Sequence, residues 1–216
     1  MKIPKIFTPD KNLDTYLEKL LSEKPKLRGY DENTVIMILK RRKAFLDKQV
    51  GVSHLDSLYR IGERLIEDFE FTKEDIEEAI RRVEPYGKED RFSGFYFSAL
   101  INKVITEKDI MDLKFYEELA GLGAYLKAGT LSLDGYVCFA LGHCMEGGEI
   151  IMNQSTGTDA GNGMEGGRIV IHGDAGNRLG IFSKRGEIVV YGNIKQIAET
   201  CRARVFNKHN RVWPRK

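Results

Sequence analysis

The chain has 216 residues, enough to bury one substantial core or two modest ones, and its 42% hydrophobic and 31% charged residues are the balance of a globular protein. A net charge of +2 means that bulk electrostatics favour no class of partner. The absence of an apolar leader and of any run of eighteen apolar residues argues against a signal peptide and a membrane span; three cysteines (Cys138, Cys144, Cys201) are too few for a disulfide framework and suit a reducing cytoplasm.

The composition divides the chain: 15 of the 22 glycines follow residue 127, whereas four of the five prolines precede it. The first part reads as five or six helices within residues 10–120. Asp31 precedes ENTVIMILKRRKAFL, Ser53 with Asp56 precedes LYRIGERLIEDF, and Thr72 with Asp75 precedes IEEAIRRV. Thr106 with Asp109 precedes IMDLKFYEELAG, with Gly121 as its C-cap. Each is a capping side chain followed by an acid in the first turn, the pairing that satisfies orphan N–H groups and the helix dipole. The basic run Lys40–Lys43 lacks interleaved aromatics and reads as a solvated helix face rather than a nucleic-acid patch.

An internal repeat organises the second part. In rows of nineteen from residue 128, the second position is Gly129, Gly148, Gly167 and Gly186. The fourth is Leu131, Ile150, Ile169 and Ile188, the sixth Leu133, Met152, Ile171 and Val190, and the fourteenth Leu141, Ala160, Leu179 and Ala198. A short fixed period with strand-length apolar alternation and glycine corners is the pattern of a parallel β-helix. Positions four and six face inward and stack on the next coil; position three (Thr130, Glu149, Arg168, Glu187) faces outward with alternating charge. Position five (Ser132, Ile151, Val170, Val189) is an outward apolar stripe that needs a cover, for which the helical segment RFSGFYFSALINKV is the expected source.

The repeat also disposes of a tempting motif. Gly161–Gly166, GNGMEG, matches the dinucleotide fingerprint, but a strand follows it where a helix N-terminus is required, so it reads as a coil corner. Cys144 and Cys201 stand three coils apart, about 14 Å, too far for a disulfide or a shared metal. Cys138, His143 and Cys144 lack zinc-finger spacing and read as packed or idle groups, and His172 has no evident partner. No catalytic residue, metal site or cofactor is assigned.

The segment GGRIVIHGDAGNRLGIFSKRGEIVVYGN, with Gly173, Gly176, Gly180 and Gly186, resembles the GXGXG domain. That domain forms the C-terminal part of the large subunit of glutamate synthase and the C subunit of formylmethanofuran dehydrogenase. The resemblance covers residues 122–203. It implies a right-handed β-helix that is not itself catalytic but spaces and docks redox or amidotransferase domains, with flavin, iron–sulfur or pterin chemistry elsewhere. The chain departs from the family in its coil count, in a helical region unlike the glutamate synthase catalytic domains, and in carrying Lys2 where the glutamine-hydrolysing nucleophile would stand.

The expected architecture is therefore α+β in two parts: an all-α region over 1–121, then a short right-handed single-stranded parallel β-helix of about four nineteen-residue coils over 122–216. The expected role is a cytoplasmic scaffold docking oxidoreductase subunits or further copies of itself. An alternative is an enzyme with a site in the groove between the two parts, lined by Asp159, Asn162, Asp174 and Asn177, although Asp and Asn at loop corners also serve turn chemistry. A third reading uses the basic tail RVFNKHNRVWPRK as a nucleic-acid arm. Its apolar anchors Phe206 and Trp213 instead suit a cap on the last coil, with a helix around Tyr116–Lys127 capping the first.

Overall fold

The computed structural model describes residues 29–49, 54–83 and 90–214. Helices α1 (Glu32–Gln49), α2 (Leu55–Leu65), α3 (Lys73–Arg81) and α4 (Ser93–Val104) precede ten strands. These are β1 (Ile110–Lys114), β2 (Leu119–Ala120), β3 (Thr130–Asp134), β4 (Val137–Phe139) and β5 (Glu149–Met152), then β6 (Thr156–Thr158), β7 (Arg168–Ile171), β8 (Glu187–Val190), β9 (Arg204–Asn207) and β10 (Asn210–Trp213). The α+β fold with a parallel β-helix is as the sequence predicts.

Local chemistry starts the helices as expected where it can be followed. Asp31 Oδ2 accepts from Thr34 N at 2.8 Å at the head of α1. Thr72 and Asp75 form a full capping box on α3. Ser53 lies outside the described residues, and α2 begins after His54 without a side-chain cap. The basic run of α1 is not simply solvated: Arg42 is buried with Nε donating to Ser93 Oγ at 2.7 Å, and Arg41 pairs with Asp68 at 3.0 Å while stacking over Phe69.

The predicted helix after Thr106 is not formed. Thr106 N and Oγ both donate to Asp109 Oδ2 at 2.7 Å, as in a capping box, but the motif closes a turn that leads into β1. The reason lies in IMDLK itself, whose alternating exposed and buried residues have the period of a strand. Met111 and Leu113 enter the core beside Leu131 and Leu133. The solenoid thus starts at Ile110, inside the expected helical region. Tyr116–Lys127 is the return path of the first coil, with Leu119, Leu122 and Leu126 buried inside it, not a capping helix. This coil hides from the repeat because its register is twenty residues and Asp109 stands where later coils have glycine.

Five successive turns are opened by β1, β3, β5, β7 and β8, and β9 adds one more parallel strand. The long sheet runs β1-β3-β5-β7-β8-β9-β10, all parallel except the final hairpin, and a smaller sheet runs β2-β4-β6. Leu131, Ile150, Ile169, Ile188 and Val205 stack in register, every one fully buried. The fourteenth-position residues Leu141, Ala160, Leu179 and Ala198 are buried as well.

The corners account for the glycines. Gly129, Gly148, Gly167, Gly180 and Gly186 all have positive φ, where a side chain is strained. Gly173 and Gly176 serve close approach instead: an added Cβ would lie 2.5 Å from Ser155 N and 2.4 Å from the Gly157 carbonyl oxygen.

The helices pack against the first coil: α3 on β1 and α4 on β2. The Gly94 Cα faces the Ala120 carbonyl too closely for a side chain, and Asn102 Nδ2 donates to the Ala124 carbonyl at 2.9 Å. One continuous core runs from Val35 to Val205 through both parts. The Ser93–Val104 helix packs on β2, not over Ile151, Val170 and Val189 as expected; Val170 and Val189 are nonetheless only 7% and 5% exposed and stand outside that core.

Candidate functional site

The N-terminus of α2 meets two solenoid corners, and the most chemically loaded cluster forms there. Tyr125 and Cys144 occupy the same corner position in successive coils, both with left-handed φ (56° and 51°). Their backbones are fixed by coil-to-coil bonds, Tyr125 N to the His143 carbonyl and Cys144 N to the Asn162 carbonyl, each at 2.8 Å. The next coil places Gly163 at this position, where a Cβ would come within 2.9 Å of Cys144 Sγ, so the glycine leaves room for the thiol.

His143 is buried, set edge-on to Phe95 and Tyr125. Its Nε2 lies 2.9 Å from Asp56 Oδ1 and 3.5 Å from Cys144 Sγ. The Tyr125 hydroxyl donates to the same Asp56 oxygen. Among the described residues, Asp56, His143 and Cys144 form one group of three whose ligand atoms all lie within 4.8 Å of one another. Hydrogen bonds from Tyr125 and then His143 hold the Asp56 carboxyl below its ordinary range, whereas burial and then the Asp56 charge push the Cys144 thiol up. Burial, reinforced by Asp56, raises Tyr125 as well. Sequence reasoning weighed His143 and Cys144 but missed Asp56, which is 87 residues from His143, and it grouped them with Cys138. Cys138 faces elsewhere, its Sγ 3.4 Å from the Leu119 carbonyl oxygen.

Of the four polar corner residues singled out in the sequence, Asp159, Asn162 and Asn177 meet at one corner through main-chain bonds, and Asp174 lies apart. Asp159 is buried and held by a two-pronged pair with Arg178, at 2.7 and 2.9 Å, while burial raises its carboxyl against the opposing Arg178 charge. The main-chain carbonyls of Asn162 and Asn177 accept from Cys144 N and Asp159 N. Asp174 lies on another corner, exposed, with Oδ1 accepting from Asn193 N at 2.7 Å.

A second feature is the outer face of the long sheet. Glu149, Arg168, Glu187 and Arg204 form a ladder of ion pairs at 2.8, 3.0 and 3.2 Å. On the far side of the apolar stripe, His172 and Tyr191 stack at 5.1 Å with rings 8° from parallel. His172, without an evident partner in the sequence, thus finds one in the adjacent coil. The stripe, the ladder and the stacked rings make a regular surface repeating at the strand spacing, about 4.8 Å. No known family, curated protein or solved structure matches the chain.

Proposed function

We propose that this protein is a non-catalytic β-helical scaffold whose long sheet presents its outer face to an oxidoreductase or amidotransferase partner subunit. The observation that carries this reading is the outward stripe Ile151–Val170–Val189–Phe206, in which Ile151 and Phe206 are partly exposed and Val170 and Val189 are buried, bordered by an ion-pair ladder on one side and stacked rings on the other. An apolar centre with a polar rim is the composition of a protein interface. The resemblance to the GXGXG domain supplies the class of partner. Of the groove residues, the Asp159 and Asp174 carboxylates are engaged in coil-to-coil bonds, which supports a structural role for them.

The test is co-purification from native extract with identification of the bound subunit, alongside an Ile151→Lys variant that leaves the inward residues untouched. A stoichiometric flavin, iron–sulfur, pterin or amidotransferase subunit that is lost on Ile151→Lys is expected. A partner that survives the substitution with unchanged affinity, or a chain that remains monomeric and unaccompanied, overturns the reading.

A further inference from the structure

We propose that Asp56, His143 and Cys144 form a zinc-class divalent-cation site that ties the helical layer to the solenoid. The donors come from both layers: Asp56 from the first turn of α2, His143 and Cys144 from a solenoid corner.

The three donor atoms lie within 4.8 Å of one another, close enough to reach one ion after small side-chain movements. Zn–N near 2.05 Å and Zn–S near 2.3 Å at a tetrahedral angle put N and S about 3.5 Å apart, and N and O about 3.3 Å apart. The observed Nε2···Sγ separation is 3.5 Å and Nε2···Oδ1 is 2.9 Å. Sγ also lies 3.9 Å from Nδ1, off the Nε2 lone-pair direction, so binding turns the Cys144 side chain, for which Gly163 leaves room, and moves the carboxylate of Asp56, the exposed member with 57% of its side chain accessible. Asp, His and Cys together are a borderline donor set, matched to zinc rather than to calcium or magnesium, which take oxygen ligands.

Without an ion the cluster is held by hydrogen bonds, Nε2 donating to Asp56 and Nδ1, 3.9 Å from Sγ, accepting from the Cys144 thiol. A cation between the three atoms uses the carboxylate, the imidazole lone pair and the thiolate at once. Binding forms a metal–sulfur bond and releases the thiol proton to solvent; no electron is transferred. The Tyr125 hydroxyl, bonded to Asp56, orients the carboxylate from behind, the role that outer partners play around protein metals. Three protein ligands leave one tetrahedral position for water.

The experiment uses the full chain, stripped with chelator and titrated with Co2+ as a spectroscopic substitute for Zn2+. One equivalent should produce thiolate-to-cobalt charge transfer and the intense visible bands of tetrahedral Co2+. Cys144→Ser should abolish the charge transfer, whereas Cys138→Ser should keep it. Tyr125→Phe should keep the band but weaken binding about 10- to 100-fold. Zn2+ should raise Tm of the wild type saturably and leave Asp56→Ala unmoved, because Asp56 is the ligand from the helical layer. Circular dichroism of the stripped proteins separates loss of ligand from loss of fold. Absence of charge transfer at one equivalent in the folded wild type overturns the site, as does its persistence in Cys144→Ser. An equal Tm rise in Asp56→Ala overturns the bridging role.

Discussion

Ile169 shows how much a single inward residue carries. It is fully buried in the middle of the stack, paired in register with Ile150 and Ile188. Ile169→Ala should cost about 2–5 kcal/mol, read from urea unfolding midpoints, because coils on both sides keep the cavity from collapsing. Asp109 is a different case, a carboxyl held down to about 2 by Lys73 first and Thr106 second. Its folded value lies below the ordinary 3.8, so its stabilisation is present above pH 3.8 and lost as pH falls toward 2. Asp109→Asn should therefore be less stable than wild type at pH 6, with the gap closing between pH 4 and pH 2. A gap that is constant across that range would show that the Lys73 pairing does not stabilise the turn.

At the scale of elements, two charge arrangements with similar formal chemistry should behave oppositely. In α3, Glu78 is fully buried between Arg81 and Arg82, and Arg82 reaches Glu32 of α1 at 3.0 Å and the Tyr30 hydroxyl at 3.0 Å. Glu78→Ala leaves cationic groups buried beside a vacated carboxylate, and should cost about 3–5 kcal/mol. The ladder through Arg168 lies on the sheet surface, with that side chain 47% exposed. Arg168→Ala should cost no more than about 1 kcal/mol, an effect that weakens with added salt. Paired denaturant titrations at low and high salt check both; comparable losses at the two sites would contradict the burial argument.

Across the molecule, the open end of the solenoid is the point of vulnerability. β9 pairs with β8 in parallel, β10 folds back on β9, and Trp213 Nε1 donates to the Cys201 carbonyl at 2.9 Å. This is the cap expected of the tail, which shields the strand edge that an isolated β8 would present. Removal of residues 204–216 should cause concentration-dependent aggregation, measured by light scattering, with no change in salt-sensitive nucleic-acid affinity. A truncated chain that remains monomeric but loses such binding would restore the basic-arm reading. At the other end, α3 and α4 do the capping, through contacts that no periodicity announces.

The nineteen-residue period alone determined the coil, its inward stacks and its glycine corners, because each coil repeats one local geometry and writes it at fixed spacing. Ile150, Ile169 and Ile188 were legible as a column for that reason. Tertiary structure decided the first coil, where IMDLK follows a Thr-Asp box that serves a helix and a turn equally well. Pairing with β3 settled the choice by burying Met111 and Leu113. It also decided the junction cluster. Asp56 belongs to one periodicity and His143 and Cys144 to another, and neither records the distance between a helix N-terminus and a solenoid corner. Only the packing of α4 on the first coil, which fixes where α2 can lie, brings the three donors within reach of one ion.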